Sequence, residues 1–490
     1  MAQAKTRSFT IPPPVKGWNA RDPISMMDEQ FAVEMINYFP DASDVKLRNG
    51  YRYHSKSVGN GTVGQMAEFY YGSTRKFVAS LYDSAAKVYD ITTAQAAGTN
   101  ITGAAVITQA MIHFQQFRDR IFMSNAAEQV HQWTGSGNIS ASPYSTTPVA
   151  GPLASYKSRF YQVEASTNSL WYSAVDSTGG ALTEFPISSQ LLKGGKVVFI
   201  GPLTRAKESV EDELFCIITD QGEVVLYQGN SPADTSVWSI VGHYFIPPPR
   251  SVKSFFRFGA DILIITDLGV VSLLKVMRGD DIIYITDLIS NAFRDVIQSY
   301  PTGSSQGIYY PRGGMIIINV ESALNTFIQF VQNVVTGAWC KFTNINAYSW
   351  ALFMNDPYFA GDSARVFKFN TGYFDEDPAN EGAVLTRPTK LRPAYNYFGN
   401  RATEKQFTQA NVIVSESEGL SLTVNADVDF ENTTATSTVS DTSDTSYKLY
   451  NVTAGLTGIG KCASIRFDGN VTTKRRAIQA IEVYFNEGGI

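Results

Sequence analysis

The chain has 490 residues, of which 44 % are hydrophobic, 12 % aromatic and 17 % charged, with a net charge of −5. That length exceeds the roughly 250–300 residues at which a single hydrophobic core stops growing, so the chain is multidomain or repeats a small unit. The 40 Lys+Arg against 45 Asp+Glu give no basic excess of the kind that marks a protein gripping nucleic acid. The apolar content excludes global disorder, and the aromatic content suits pleated, half-buried faces.

From the N-terminus, residues 1–10 are polar and lack the apolar run of a signal peptide. Residues 11–23 follow, kept extended by Pro12, Pro13, Pro14 and Pro23. This arm carries Trp18, which a lone solvated tail gains nothing by exposing, and Arg21 beside Asp22. Trp18, Arg21 and Asp22 are therefore the candidate partner-binding residues, docking on an adjoining subunit or neighbouring component. The alternative is that Trp18 staples the arm to its own chain. Over Asp28 to Phe39 an acidic first turn and apolar Phe31, Met35 and Phe39, four apart, predict a helix ended by Pro40.

Between about Gln65 and Gly372 one pattern recurs: two short apolar strands, a polar turn and an aromatic-bearing third strand. Central hairpins start near Lys76, Arg120, Arg159, Leu214, Ile262 and Met315, a spacing of about 40–55 residues that fits propeller blades. Tight reversals come from Asp220-Gln221-Gly222, Asp267-Leu268-Gly269 and Gly313-Gly314. Ala347 to Gly372 reads as a further partial blade closing the ring, which gives six or seven blades. A second helix is predicted over Asp287 to Tyr300, with Leu288, Ala292, Val296 and Ile297 on one face and Pro301 as its stop. It would be inserted between the fifth and sixth blades. The expected class is all-β: a propeller over 61–375, an N-terminal arm and helix over 1–60, and a smaller β-domain over 376–490. Within the last, the Thr/Ser/Asp tract Glu431 to Ser446 is expected as a solvated loop.

The chemistry-bearing motifs are few. Ile262 to Met277 is the most apolar run but is broken by Asp267 and Gly269, so no membrane span is expected. Cys216, Cys340 and Cys462 are far apart and read as buried small hydrophobes of a reducing cytoplasm. Gly455 to Cys462 lacks the final hydroxyl of a phosphate-binding loop and runs into a strand, so it reads as a glycine-rich turn. Asp427 and Asp429 lie on one strand face and read as solvated rather than calcium-binding. His54, His113, His131 and His243 have no paired ligand spacing. No catalytic, cofactor-binding or metal-binding residue is nominated, and no enzymatic activity is expected.

Three segments remain. Gly17 to His54 opens with Gly-x-Asn, continues through Asn-x-x-Pro and ends on an Arg-x-Gly turn. Asn333 to Trp350 (NVVTGAWCKFTNINAYSW) is followed by a Tyr-Phe-Ala-Gly-Asp turn and ARVFKFNTGYFDED. The C-terminal part holds YNYFGNRATEKQFTQANVIV, VNADVDF and the closing IEVYFNEGGI. In order and spacing these resemble the tail nozzle proteins of short-tailed bacteriophages, also called packaged-DNA stabilisation or tail tubular B proteins. The resemblance implies a virion tail protein, assembled in the host cytoplasm as a homohexamer below the adaptor ring under the portal. It further implies passage and retention of double-stranded DNA in the lumen, without sequence-specific binding, and attachment of tail fibres or spikes. The competing reading is a glycan-binding or glycan-cleaving virion propeller, since propellers with scattered carboxylates can hydrolyse sugars. Asp176 before Gly179-Gly180 resembles the aspartate turn of sialidases, but the pattern is incomplete and does not recur.

Overall fold

A computed structural model describes residues 6–487 apart from positions 57, 60, 83–84, 208–209, 235, 280–283, 434, 442 and 444. Strand makes up 53 % of the chain and helix 5 %, and the strands form a β-propeller. Among the described residues six blades are built from strands consecutive in sequence. Blade 1 runs Thr62–Tyr71, Thr74–Tyr82, Ala86–Asp90 and Thr99–Asn100. Blade 2 runs His113–Phe117, Arg120–Ser124, His131–Trp133 and Ser140–Ala141. Blade 3 runs Ala150–Tyr156, Arg159–Glu164, Leu170–Tyr172 and Thr183–Phe185. Blade 4 runs Val197–Lys207, Val210–Thr219, Glu223–Gln228 and Ser239–Phe245. Blade 5 has Phe255–Phe258, Asp261–Thr266 and Gly269–Ser272, and blade 6 has Ser305–Tyr310, Met315–Ala323, Thr326–Asn333 and Trp339–Phe342.

The ring closes through a further sheet that joins the two ends of the propeller sequence. Ser349–Phe353, Asp356–Ala360 and Val366–Phe369 are completed by Tyr51–Ser55, which pairs antiparallel with Val366–Phe369. A strand drawn from before blade 1 therefore finishes the sheet that follows blade 6, so sheet hydrogen bonds lock the circle. Alternation along the strands explains why blades must stack. On Thr74–Tyr82, Phe77, Ala79 and Leu81 face the closing sheet, where Phe77 stacks on Phe353 at 4.7 Å. Val78 points the other way, to Ile121, Met123 and Trp133 of blade 2. One blade has apolar side chains on both faces and needs a neighbour on each.

The helix between blades 5 and 6 is present as a 3-10 turn, Asp287–Ile289, leading into the α-helix Ser290–Ser299, with Phe293 and Ile297 buried. The first expected helix is not. Phe31–Ile36 and Tyr38–Pro40 are strands. A four-residue apolar spacing is also a multiple of the two-residue strand period, so the pattern fits either element. Sheet pairing decides: Phe31–Ile36 lies between Gly17–Trp18 and Arg387–Pro393, with a bulge between Ala32 and Glu34. Asn37, at φ 58, then turns the chain where a helix would have continued.

The second β-region is not confined to the C-terminal part. Blade 6 continues without a break through Gly17–Trp18, Phe31–Ile36, Arg387–Pro393, Ala463–Val471, Leu420–Val428 and Ser437–Asp441. A second sheet runs Lys448–Gly455, Lys405–Glu416, Arg476–Glu487, Val45–Leu47 and Tyr38–Pro40, and Thr6–Ile11 also pairs with Arg476–Glu487. Val412, Val414, Leu422, Val424, Phe467 and Ile481 belong to a core continuous with Phe330 and Trp339 of blade 6. The first 55 residues are thus woven into both the ring and this second region. Ser437–Asp441 corrects the expected loop: the Thr/Ser/Asp tract adds an edge strand to Leu420–Val424. Positions 434, 442 and 444 of that tract lie outside the described residues.

Candidate functional site at the ring–domain junction

Two of the three segments that carry the resemblance meet at one place, and the third bonds to the first separately, through Asn396 Nδ2, which donates to Glu29 Oε2 at 2.9 Å. Gly17 pairs with Trp339 and Phe31, at φ 80, and a β-carbon there would lie 2.5 Å from the Trp339 carbonyl oxygen. Only glycine fits so close an approach. Asn19 is buried; its side-chain oxygen accepts from the Arg21 and Asp22 amides, and its Nδ2 donates to Asp22 Oδ2 at 2.8 Å. The Arg-x-Gly turn has a similar cause, since a β-carbon on Gly50 would sit 1.7 Å from the Phe374 carbonyl oxygen.

Asn37 is the hub. Its amide donates to the Lys341 carbonyl at 2.8 Å, and its Oδ1 accepts from the Thr343 amide at 3.0 Å and from Arg48 Nε at 2.8 Å. Its Nδ2 donates to Thr343 Oγ1 and to the Pro388 carbonyl. Every donor and acceptor of this fully buried amide side chain is used. Arg48 then grips Asp375 with both ends of its guanidinium, at 2.8 and 2.5 Å, and Arg387 approaches the same carboxylate at 3.5 Å. Burial, then the nearby Arg48 charge, pull Arg387 down to about 10. Asn333 Nδ2 donates to the Pro40 carbonyl at 2.9 Å, which ties the second segment to the first.

Of the two readings of Trp18, partner contact or staple to its own chain, the packing within this chain matches the staple. Trp18 is 7 % exposed, stacks on Phe330 with the rings 2° from parallel, and has Lys341 Nζ 5.5 Å from its centre. Arg21 binds Asp22 at 2.8 Å and also pairs with Asp287 at the start of the inserted helix. The apolar groups that the arm leaves exposed are Ile24 and Met26, at 41 % and 68 %. Sequence reading chose Trp18 because size and polarity are visible in sequence, whereas the neighbour that covers it, Phe330, is remote.

The remaining motifs resolve into structural roles. Asp427 and Asp429 do not share a solvated face. Asp427 is buried beside Arg392 Nε at 3.2 Å and Arg466 Nη1 at 3.6 Å. Asp429 Oδ1 accepts from the backbone amides of Lys461 and Cys462 at 2.8 and 3.1 Å. The glycine-rich turn therefore holds an anion, and that anion is the chain's own carboxylate. Asp429→Ala should cost about 0.5–1.5 kcal/mol by removing the acceptor of those amides, whereas Lys461→Ala should stay within about 0.5 kcal/mol; urea denaturation midpoints of the two variants check this. Asp176 pairs with Arg118 of the blade 2 hairpin. Among the described residues no group of three or more His, Cys, Asp or Glu side chains could hold a metal ion, and no helix is long and apolar enough to cross a membrane.

No protein-family model matches the chain, and no curated protein matches its sequence. Among solved structures it is similar to YCF48 bound to a D1 peptide, at 9 % identity over 66 % of this chain and 96 % of that one, with a TM-score of 0.42. It is similar also to the WD40 β-propeller domain of Doa1, at 10 % identity over 66 % and 97 %, with a TM-score of 0.41. A computationally designed protein, Ika8, gives 9 % identity over 65 % and 99 %, with a TM-score of 0.38. At those scores it is the strand pairing above that carries the fold.

Proposed function

We propose that this chain is the nozzle subunit of a short-tailed phage tail, forming a hexameric conduit for packaged DNA and a base for fibres or spikes. The observation that carries the reading is the convergence at one junction of the first two of the three segments that resemble nozzle proteins. Gly17, Asn37, Arg48 and Asn333 bond to one another's segments through the contacts described. A sequence pattern whose members, about three hundred residues apart, serve one tertiary joint is what common architecture would leave behind.

Electrostatics supports the same reading. Each Lys or Arg that neutralises a phosphate adds salt-dependent affinity and would retard a passing duplex. Here four lysines of the N-terminal segment and of Arg387–Pro393 are paired with carboxylates: Lys16 with Asp28, Lys46 with Asp41, Lys56 with Glu381 and Lys390 with Glu34. Ile24 and Met26 are the apolar groups that the arm offers to a neighbouring subunit. Class averages of the full chain mixed with its adaptor protein should show six-fold rings. The double variant Ile24→Ser with Met26→Ser should melt as the parent does and form no rings. Persistent monomers that release reducing sugar from host polysaccharide would overturn the nozzle reading and favour the glycan-cleaving one.

A further inference from the structure

The propeller axis holds a cavity of about 280 Å³ to which all six blades contribute. Its polar lining includes Gln65 of blade 1, His113 of blade 2, Lys253 and Arg257 on and just before the first strand of blade 5, and Gln306 of blade 6. Among the described residues no aspartate or glutamate lines it. Phe255 and Arg257 alternate on the strand and face the axis together, and Lys253 joins them from the turn Ser251–Ser254 just before it.

Lys253 reaches across the ring. It belongs to blade 5, yet its Nζ donates to the carbonyl of Gly64 at the start of blade 1. One acceptor leaves two of its three donors unused. Arg257 Nη2 donates to the Pro202 carbonyl of blade 4 at 2.9 Å, and neither cation has a carboxylate within ion-pair distance among the described residues. Burial pulls Lys253 down to about 8, with Glu321 acting in the opposite sense, and it lowers Arg257 as well. His113, pulled down to about 4 by burial, is neutral at pH 7 and adds no positive charge. Gln65 is fixed by the bond its Oε1 accepts from Ser349 Oγ at 2.9 Å, which leaves its amide NH₂ to donate.

Two cations on one cavity wall, with no carboxylate in the lining, make the local field positive and favour an anion there. We propose that the axial cavity binds a small free oxyanion of the phosphate class, held between Lys253 and Arg257 with Gln65 as a neutral donor. This inference is independent of the nozzle reading, since it concerns the axis of one subunit rather than the lumen of a ring.

The test is calorimetric titration of the full chain with inorganic pyrophosphate at constant ionic strength. The expected result is saturable binding of one anion per chain, with a rise in thermal midpoint as the anion concentration grows. Lys253→Met and Arg257→Gln should each weaken binding at least tenfold. Lys56→Gln, on the outer surface, should leave it unchanged. Arg257 has an exposed side chain, so its variant keeps the test valid if Lys253→Met folds poorly. Absence of saturable binding, or equal affinity in the parent and Arg257→Gln, overturns the proposal. A twelve-nucleotide single strand is too large for the cavity and should not compete. Competition by it would place the anion on the outer surface and overturn the proposal too.

Discussion

Asp375→Ala should destabilise the protein by about 3–5 kcal/mol, the loss expected when one partner of a buried ion pair is removed. Asp375 is 0 % exposed, and the side chains of Arg48 and Arg387 around it are 1 % and 0 % exposed. Removing the carboxylate leaves two buried guanidiniums facing each other with no counter-charge. The cost falls on a joint: Arg48 sits between Val45–Leu47 of the second region and Tyr51–Ser55, the strand that closes the ring. Urea denaturation followed by tryptophan fluorescence should show the midpoint drop, and protease cleavage around residues 371–386 should accelerate before global unfolding. Asp119→Ala makes the control. Its pair with Arg120 is largely solvent-exposed, at 66 % for the aspartate, and should change stability by less than about 0.5 kcal/mol. A small loss in Asp375→Ala would mean that the paired guanidiniums find other acceptors and that the junction is softer than its geometry.

Trp18→Ala should cost about 3–5 kcal/mol in the isolated chain, the usual price of emptying a large aromatic site in a packed core. The indole stacks on Phe330, and Phe330 also packs on Phe293 of the inserted helix at 5.3 Å. The cavity would therefore open between arm, blade 6 and helix together. Met26→Ala in the same arm, at a largely exposed side chain, should leave the melting curve of the monomer unchanged. The comparison separates the two readings of the arm. If Trp18→Ala melts as the parent does but fails to assemble, Trp18 faces a neighbour after all. Loss of stability before any assembly step places it in the monomer's own core, with Ile24 and Met26 left for contact between subunits.

The repeat was legible because a blade is a local object. Lys76, Arg120, Arg159, Leu214, Ile262 and Met315 each open a hairpin whose turn and alternation are contained in a few dozen residues. The inserted helix was equally visible, since Leu288, Ala292, Val296 and Ile297 recur at helical spacing and Pro301 ends it. The glycine-rich turn at Gly455 to Cys462 was read correctly as a turn because the strand after it is written next to it. Asp28 to Phe39 was misread for the complementary reason. Its apolar spacing satisfies both periods, and the pairing of Phe31–Ile36 with Arg387–Pro393 that chooses between them lies more than three hundred residues away.

Composition, strand period and turn residues alone established an all-β chain with a radial repeat and a β-region after it. They are properties of neighbouring residues, and elementary sterics and burial translate them directly. The tertiary structure alone decided which partner each long-range group finds. Tyr51–Ser55 closes the ring on Val366–Phe369, Arg48 meets Asp375, Trp18 meets Phe330, and Asp429 fills the amides of Lys461 and Cys462. Each of these needs two segments to be brought together by the packing of everything between them. A side chain's chemistry states that it needs a partner, and only the folded chain states which one it gets.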